Sequence, residues 1–414
     1  MLGSAQSSAD LSGNWVAELA FYENTDYRRI TLKQQGAELS GGDGNVTITG
    51  RVQGGKVEFS AKPKEGPETI VSAEIRGEEM AGTAKRGDTE YKFRAYREKP
   101  RPATPRTHEF EPKEFHSFFS GAILPVLHIF PGDTVKTWSV DAGGFDAKKV
   151  HRSQGGNPET GPFYIEGAMP GDTLVVHLLK VRLNRDSAIS SGDIAANALN
   201  PFYFHQAQEK RPKDYDSGWT LDREKGVARL TKPSEKLKDY TVPLAPMLGC
   251  IGVAPPGDMI YRSGFLGAFG GSMDYNRMRE GITVYLPVFK PGALLFMGDG
   301  HAAQGDGELT GNALETSMDI EFSVDLVRGE GPGGVRAEDE QYRMAMGIAG
   351  SLNEALQQAT SNMARWLERD YKLNPSEIAS VLGTAMRYDI AEVVDPSYHV
   401  VARVSKQALA TLPK

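Results

Sequence analysis

Short turns built from proline and glycine recur along the middle of this chain, and most of them lead directly into an apolar stretch. The pairs are Pro131-Gly132, Pro170-Gly171, Pro256-Gly257 and Pro291-Gly292. Proline presets φ and glycine accepts a positive φ, so each pair fits the central positions of a type II turn. A clear strand pattern follows every pair except the third, and no convincing helical pattern lies between these predicted strands. This arrangement predicts a mainly β fold with an antiparallel β-sandwich-like core.

Residues 314–326 show the clearest strand pattern in the chain. Every second position from Leu314 to Leu326 is apolar or threonine, and the positions between them, from Glu315 to Asp325, are polar. Because successive side chains in a strand point to opposite faces, one face should pack on the core. The other face should look toward water or toward a site.

The first hundred residues carry a separate pattern of short alternating runs. Apolar residues recur at period two around Ile30, Val57 and Phe93, and glycine pairs at 41–42 and 54–55 are predicted turns. The pattern predicts a small antiparallel β-barrel or sandwich with a structural or docking role.

A proline-rich stretch follows this module, with prolines at 100, 102, 105 and 112. Proline favours extended chain and lacks an amide donor, so the stretch is a predicted stiff linker. We predict the following divisions: a flexible tail over residues 1–10, the small β module over 11–97, the linker over 98–114, a β-rich core over 115–334, and a helical segment with a closing strand over 335–414.

The pattern changes to helical spacing near the C-terminus. Ser351-Leu-Asn-Glu354 is a capping-box sequence, and the apolar residues after it predict a helix to about Tyr371. Asn374-Pro375 opens a second predicted helix, because proline suits the first helical position. A strand over 398–404 is expected to return to the sheet.

The composition is that of an ordinary globular protein, with 39% hydrophobic and 24% charged residues. The formal net charge of −7 argues against nucleic acid as the main partner. No apolar run approaches the ~20 residues needed to span a bilayer.

Met1-Leu-Gly-Ser lacks the basic and apolar regions of a signal peptide, and the polar residues after it are typical of a tail left by signal cleavage or of a plain chain end. We expect a periplasmic or secreted homo-oligomer rather than a cytoplasmic protein.

Residues 299–315 follow the apolar run 293–297 and concentrate groups that bind metals or move protons. Among their glycines lie Asp299, His301, Asp306, Glu308 and Glu315. Asp299 and His301 are two positions apart, so extended backbone projects both side chains to one side. Strands that end in such loops are a common support for metal ligands and acid/base groups. The simpler interpretation is a polar turn.

Acidic groups also end other predicted strands. Asp141 follows the run 135–140, Glu166 precedes the turn at Pro170, and the Gly-rich loop 270–276 carries Asp274. If these strand ends converge, they form a carboxylate-rich pocket with one imidazole. Such a set suits zinc or another divalent ion, which can activate water near neutral pH. Taken singly, each acid fits a turn or surface position better.

Cys250 is the single cysteine, so no intrachain disulfide can form. A nucleophilic role is one hypothesis, but its sequence neighbours are apolar and no base is adjacent. We therefore expect a buried, inert thiol. The chain also lacks the HExxH, CxxC and GxSxG patterns.

Together, an ordered series of segments resembles the acetamidase/formamidase family. The matching motifs are Pro131-Gly-Asp-Thr134, Val140-Asp-Ala-Gly-Gly144, Glu166-Gly-Ala168, Asn184-Arg-Asp186, Pro246-Met-Leu-Gly-Cys250, Gly270-Gly-Ser-Met-Asp-Tyr-Asn276 and Gly298-Asp-Gly-His301. The likeness covers roughly residues 115–405, and the N-terminal module lies outside it.

This resemblance implies a β-rich catalytic core and metal-assisted hydrolysis of the C–N bond in small amides such as formamide, acetamide or a lactam. The predicted ligands of the metal, zinc or else calcium, are Asp141, Asp299, His301, Asp306 and Glu315. Asp141 and His301 are also predicted to be catalytic, and Glu166 is the predicted acid/base group. The predicted substrate-binding residues are Asn184, Asp186, Gly271, Asp274 and Asn276.

A competing hypothesis is a non-catalytic carbohydrate- or surface-binding β-protein whose acids hold structural calcium. Calcium prefers cages of about six to eight oxygen ligands, so a histidine among the ligands would count against it. A third hypothesis is an amidase that uses Cys250 as nucleophile.

Overall fold

The computed structural model describes residues 10–22, 24–212, 214–329, 331 and 333–413. The predicted flexible tail lies outside these residues except for Asp10. Contacts between Cα atoms divide the chain between Arg101 and Pro102 into two compact units.

The first unit is a closed barrel of eight antiparallel strands in sequence order. The strands are β1 (Gly13–Phe21), β2 (Asn24–Gln35), β3 (Glu38–Gly42), β4 (Val46–Gln53), β5 (Lys56–Pro63), β6 (Thr69–Arg76), β7 (Glu79–Arg86) and β8 (Thr89–Arg97). β1 pairs with both β2 and β8, which closes the sheet and removes its edges. Alternate side chains fill the interior, among them Trp15, Leu32, Val57 and Met80.

The predicted turn at Gly41-Gly42 is wrong, because both residues belong to β3. A Cβ placed on Gly41 would lie 2.0 Å from the carbonyl oxygen of Thr31 in the paired strand β2. Glycine is therefore present for the close approach of two strands, and the turn signal in the sequence was misleading.

The second unit contains the remaining strands. They are β9 (Thr107–Glu109), β10 (Phe118–Ser120), β11 (Leu127–Ile129), β12 (Thr134–Ser139), β13 (Thr160–Ile165), β14 (Thr173–Leu183), β15 (Ser187–Ile189), β16 (Gly218–Asp222), β17 (Val227–Leu230), β18 (Val242–Pro243), β19 (Met247–Gly252), β20 (Ile260–Arg262), β21 (Leu266–Gly267), β22 (Gly270–Ser272), β23 (Thr283–Pro287), β24 (Leu295–His301), β25 (Glu315–Thr316), β26 (Met318–Val327), β27 (Arg336–Glu338), β28 (Tyr342–Ala349), β29 (Arg387–Glu392) and β30 (Tyr398–Ser405).

Two large, mostly antiparallel sheets contain all of these strands except β10 and β20, which pair with each other. One runs in the order β18-β17-β16-β15-β25-β24-β19-β22-β21, with β13 and β11 attached beside β24, and the other runs β29-β30-β28-β27-β23-β14-β26-β12-β9. Apolar side chains from both sheets, such as Leu248 and Phe296 from the first and Val176 and Phe322 from the second, form one core. The predicted fold class, a mainly β protein with a sandwich-like core and a small N-terminal β module, is confirmed.

The helices are α1 (Pro201–Lys210), α2 (Leu352–Tyr371), α3 (Pro375–Ala385) and α4 (Lys406–Leu409), with 3₁₀ turns at Ala196–Ala198 and Asp306–Glu308. α2 and α3 begin where their capping residues predict: Ser351 caps α2, and Asn374 forms a full capping box with Glu377. α1 was not predicted. It buries none of its side chains, so its sequence lacks the apolar stripe by which helices are recognised.

The proline-glycine turns form as predicted. Gly132, Gly171, Gly257 and Gly292 all have positive φ, between 61° and 94°. Strands β12, β14 and β24 follow the first, second and fourth of these turns within a few residues. No helix in the described part of the chain is long and apolar enough to cross a membrane.

Candidate functional site

A histidine at the end of β24 is the centre of the candidate site. The apolar run that was predicted to stop before Asp299 continues as strand through His301, and both side chains are buried. The Nε2 atom of His301 lies 3.4 Å from Oδ1 of Asp299, in agreement with their spacing of two residues. β25 places Glu315 directly opposite His301 in the sheet, with Oε1 3.2 Å from Nε2.

The second ring nitrogen of His301 has a partner of its own. Nδ1 lies 2.9 Å from Oε1 of Gln304, and the amide nitrogen of Gln304 donates to the backbone oxygen of Asp274. This second bond orients the amide so that its oxygen faces the imidazole, which assigns the proton to Nδ1. In the neutral form of the ring, Nε2 then has a free electron pair, which faces two carboxylates. Metal-binding histidines commonly have this arrangement.

Sheet order brings further acids to the same place. β19 lies beside β24, and Asp274 follows β22, which pairs with β19 on its other side. Gly249 of β19 has no side chain and therefore leaves space between the side chains of Asp274, Asp299 and His301. A Cβ on it would lie 2.3 Å from Oδ1 of Asp274, 2.7 Å from Oδ2 of Asp299 and 2.9 Å from Cε1 of His301.

Three overlapping sets of side chains have ligand atoms within 4.8 Å of one another. We call them together the His301 cluster. The sets are Asp299, His301 and Glu315; Asp274, His301 and Glu308; and Asp274, Glu392 and Asp395. Glu308 lies in the 3₁₀ turn after β24, and Glu392 ends β29.

Three residues of the His301 cluster have left-handed backbone conformations. The φ angles are 42° at Asp274, 55° at Asp299 and 46° at Glu308. Residues other than glycine adopt this region rarely, and such positions concentrate at ligand sites. The strain is consistent with a site whose geometry the fold maintains for binding.

The electrostatics show that the His301 cluster is crowded with negative charge. Burial raises the pKa of Asp274 and of Glu308 well above the carboxyl range, and the neighbouring carboxylates raise it further. Burial also raises the pKa of Glu315 to about 7. Burial opposes a charge on His301, but Glu315 and Asp299 outweigh it and raise the pKa of the imidazole well above its usual value. Groups this close cannot all ionise unless a positive charge lies among them.

Buried atoms of the His301 cluster lack hydrogen-bond partners within the described ranges. They are Oδ1 of Asp274, Oδ1 of Asp299, Nε2 of His301, Oε2 of Glu315 and Oε2 of Glu392. Buried polar atoms are nearly always paired, so a group of unpaired ones calls for a ligand. Several carboxylate oxygens with one imidazole nitrogen fit a divalent cation.

Glu159 was missed by the sequence analysis. Its side chain is fully buried, and neither carboxyl oxygen has a hydrogen-bond partner among the described residues. It lies against β24, where a Cβ on Gly298 would be 2.5 Å from Oε2. Burial raises the pKa of Glu159 well above its usual range, and the charges of Asp299 and Asp274 raise it further. Its only sequence signal was a position between the prolines of a Gly-rich loop.

Three of the predicted ligands and catalytic residues lie outside the His301 cluster. Asp141 forms a buried ion pair with Arg185, with Oδ2 2.5 Å from Nη2, and accepts a hydrogen bond from the amide of Phe145. Glu166 lies 2.8 Å from Nδ1 of His128. Asp306 is exposed and accepts a bond from the side chain of Asn276. Partners within the protein satisfy each of these acids, so none is presented to the cluster.

The predicted substrate-binding residues are also dispersed. Asp274 joins the His301 cluster itself. Asn184 bonds to Asp319 and Ser317, and Asp186 forms an ion pair with Arg223. Gly271 pairs in β22, where a Cβ would collide with the backbone of Phe265.

Cys250 is fully buried, as expected, but the structure brings an acid to it. Burial raises the pKa of the thiol well above its usual value, and the charge of nearby Glu159 raises it further. The thiol donates to the backbone oxygen of Ser263 at 3.5 Å. A thiolate is strongly disfavoured here, so the geometry does not suit a nucleophile.

A cavity of about 630 Å³ borders the His301 cluster at Glu308. Its lining also includes Gln304 and the aromatic residues Tyr215, Trp219 and Tyr240. The described lining includes no lysine or arginine. The fold and the cluster thus define a β-sandwich protein with a buried carboxylate–histidine centre that borders a pocket at Glu308.

Comparisons with known proteins agree with this class. The model of the Acetamidase/Formamidase family matches residues 268–404, which contain all three cluster sets. An acetamidase of Mycolicibacterium smegmatis is 28% identical over 216 residues, covering 41% of this chain and 53% of that protein. A formamidase of Methylophilus methylotrophus is 27% identical over 212 residues, covering 41% of this chain and 51% of that protein. The chain therefore matches about half the length of these curated relatives.

The fold comparison extends further along the chain. The crystal structure of a predicted acetamidase/formamidase from Thermoanaerobacter tengcongensis superposes with a TM-score of 0.63 at 25% identity, covering 75% of this chain and 99% of that one. These matches confirm the resemblance to the acetamidase/formamidase family that the sequence motifs indicate.

Proposed function

We propose that this protein hydrolyses the C–N bond of amides and that the His301 cluster holds a divalent cation, zinc, for the reaction. One observation carries the proposal: Nε2 of His301 has no hydrogen-bond partner in the described chain and faces the carboxylates of Asp299 and Glu315. The family resemblance supports the reaction type.

The residues that would hold the cation are His301, Asp299 and Glu315, with Asp274 and Glu308 beside them. Gln304 keeps the imidazole in the tautomer that leaves Nε2 free, and Gly249 leaves room for a bound group between the acids. A divalent cation supplies Lewis acidity, which polarises an amide carbonyl and activates water.

Glu159 replaces Glu166 as our proposed acid/base group. Burial raises the pKa of Glu159, which favours its protonated form, so the carboxyl can donate a proton to the departing nitrogen. Water adds to the carbonyl carbon, the C–N bond breaks, and a carboxylate and an amine or ammonia leave. Glu166 lies beside His128 instead, which does not belong to the cluster.

The cavity beside the cluster supports a substrate larger than formamide or acetamide. Pockets of about 300–1,000 Å³ typically enclose drug-sized molecules, and this cavity of about 630 Å³ falls in that range. Trp219 and Tyr240 offer aromatic surface, and the described lining has no cation to receive an acidic substituent. We propose an uncharged amide or lactam with an apolar or aromatic part.

Neither alternative hypothesis fits as well. A structural calcium ion prefers oxygen ligands, whereas a histidine nitrogen lies at the centre of this cluster. A Cys250 nucleophile requires a thiolate, which burial and the charge of Glu159 oppose.

Ammonia or amine release from a panel of amides tests the proposal. The panel contains formamide, acetamide, a lactam and an aryl-substituted amide, with zinc-loaded wild-type protein, His301→Ala and Cys250→Ala. We expect wild type and Cys250→Ala to turn over at least one amide and His301→Ala to be inactive. An active His301→Ala protein beside an inactive, metal-replete Cys250→Ala protein would replace this mechanism with a cysteine nucleophile. Inactivity of the zinc-loaded wild type toward the whole panel, with tight calcium binding, would favour the non-catalytic alternative.

The predicted periplasmic or secreted location and the predicted homo-oligomer stay predictions.

A further inference from the structure

The interior of the N-terminal barrel contains a cavity of about 190 Å³ that the proposed amide chemistry does not use. Its walls are mainly apolar side chains from several strands, including Leu19, Ile30, Ile48, Phe59 and Phe93. Eight-stranded barrels have an interior just large enough to be filled by side chains or to hold one small ligand. Here part of the interior is left open.

The barrel is closed at one end. Trp15, Leu11 and Met80 are completely buried there, and the indole of Trp15 donates to the backbone oxygen of Leu11 at 2.9 Å. The cavity lies toward the other end, where β1, β5 and β7 finish and β2, β4 and β6 begin. The loop that carries Glu65 and Pro67 borders the cavity at this end, where we place the entrance for a ligand.

Two arginines occupy inward-facing positions near this entrance. Arg28 has the same strand parity as buried Ile30 in β2, and Arg86 has the same parity as buried Ala84 in β7. Both line the cavity, together with the buried hydroxyl of Thr69. Inward-facing positions of a small barrel are normally filled by apolar side chains, so two cations there call for an explanation.

The protein satisfies these arginines only in part. Nε of Arg86 donates to Oγ1 of Thr69 at 2.9 Å, and its guanidinium lies 5.3 Å from the centre of the Tyr91 ring. No acid within the described ranges forms an ion pair with Arg86. Arg28 lies 3.6 Å from an oxygen of Asp26 and 3.6 Å from one of Asp43, both longer than a hydrogen bond. Donors of both guanidinium groups remain available.

We propose that the barrel is a binding site for a small monocarboxylic acid. The apolar tail lies among Ile30, Phe59 and Phe93, and the carboxylate accepts hydrogen bonds from Arg86, with Arg28 contributing charge. Arginine matches the geometry of a carboxylate with two parallel donors. Glu65 lines the rim, and Asp26 and Asp43 lie near Arg28, so Arg86 is the cation at this entrance that has no acid partner among the described residues and can meet an anion.

The size of the cavity limits the ligand. An apolar cavity of about 150 Å³ in another protein is large enough for benzene. A volume of about 190 Å³ therefore fits a single ring or a short alkyl chain. Benzoate and hexanoate are suitable probes, and hexan-1-ol is the uncharged counterpart of hexanoate.

Isothermal titration calorimetry on the full chain tests the proposal. We expect saturable binding of benzoate or hexanoate at one site per chain, with hexan-1-ol much weaker. Arg86→Gln should weaken carboxylate binding about ten-fold or more, because it removes a charged hydrogen-bond donor, and should leave hexan-1-ol unchanged. Arg28→Gln is a second charge variant, to be used if Arg86→Gln does not fold.

Two further variants locate the binding. Arg94→Gln is the matched control, since Arg94 pairs with Glu79 on the outer face of the same barrel. It should bind the acids as wild type does. Ala61→Phe places a ring in the cavity and should abolish binding of acid and alcohol alike. The proposal is overturned if wild type shows no saturable binding at millimolar concentrations, if Ala61→Phe binds normally, or if Arg94→Gln weakens binding as much as the inner-face variant.

Discussion

Two groups of buried acids in the second unit have opposite surroundings. Asp133, in the turn before β12, accepts hydrogen bonds from the amides of Arg106 and Phe130 and from the side chains of Arg106 and His108. Burial alone would raise its pKa, but these donors outweigh it and lower the pKa to about 2. Asp274 and Glu315 of the His301 cluster are also buried, but each has an oxygen without a hydrogen-bond partner among the described residues, and burial raises the pKa of both.

The difference shows that burial alone does not mark a functional acid. What matters is whether the protein itself supplies the donors for a carboxylate. Asp133 stabilises a turn because its partners are built in. Oδ1 of Asp274 and Oε2 of Glu315 lack such donors among the described residues, so they are suited to hold something that the chain does not contain.

The largest expected effect concerns Glu159, the unpaired acid that lies next to the cluster. Glu159→Gln keeps the shape of the side chain and removes the proton donor, so we expect kcat for an amide to fall by about 10²–10⁴-fold. Bound cation should be unchanged in a metal assay. Glu166→Gln is the matched control, and its turnover should resemble that of wild type. Loss of activity in Glu166→Gln with normal activity in Glu159→Gln would restore the original assignment.

Trp366→Ala tests whether helix α2, none of whose residues belongs to the His301 cluster, is purely structural. The indole is nearly buried, donates to Asp370 at 3.0 Å, and lies under the guanidinium of Arg343. Truncation of a buried tryptophan costs about 3–5 kcal/mol of unfolding free energy. Urea unfolding should show this loss, while the cation bound per folded chain stays the same. A folded Trp366→Ala protein that has lost its cation would show that this region contributes to the site.

A smaller effect is expected for Asp133→Asn. Since its folded pKa of about 2 lies below the ordinary value of 3.8, the charged carboxylate stabilises the fold above pH ~4 by about 2 kcal/mol. This contribution is lost as the pH falls through about 2. Denaturation at neutral and at acidic pH measures the free energy of unfolding. The difference in this free energy between Asp133→Asn and wild type should decrease as the pH falls.

Asp274→Asn is the opposite case. In a chelating buffer at pH 7, removal of a carboxyl whose pKa is raised should leave the fold unchanged or more stable. A destabilisation as large as that of Asp133→Asn would mean that Asp274 has partners in the protein after all, and the comparison would fail.

Much of the architecture was predictable from local patterns. The capping residues Ser351 and Asn374 located the starts of α2 and α3, and the proline-glycine pairs located the turns before β12, β14 and β24. The spacing of Asp299 and His301 predicted that they share one side of a strand. These features depend on residues close together in the chain, where propensity and periodicity act directly.

The rest of the site depends on contacts between distant segments. Glu392 and Asp395 reach the cluster only because β29 ends beside it, and Gly249 only because β19 pairs with β24. Asp141 carried a convincing motif, yet Arg185 from another motif satisfies it. No local pattern shows whether a buried acid will meet an arginine, a backbone amide or another acid.

The central claim is that the unpaired acids around His301 hold a divalent cation. Elemental analysis of folded protein, dialysed after incubation with zinc, measures the cation bound per chain. We expect at least one bound cation per chain in wild type and loss of bound cation in His301→Ala. Asp133→Asn is the control and should bind as much cation as wild type, because the protein itself supplies the hydrogen-bond donors of Asp133. Wild type that retains no cation, or folded His301→Ala that retains as much as wild type, would contradict the account.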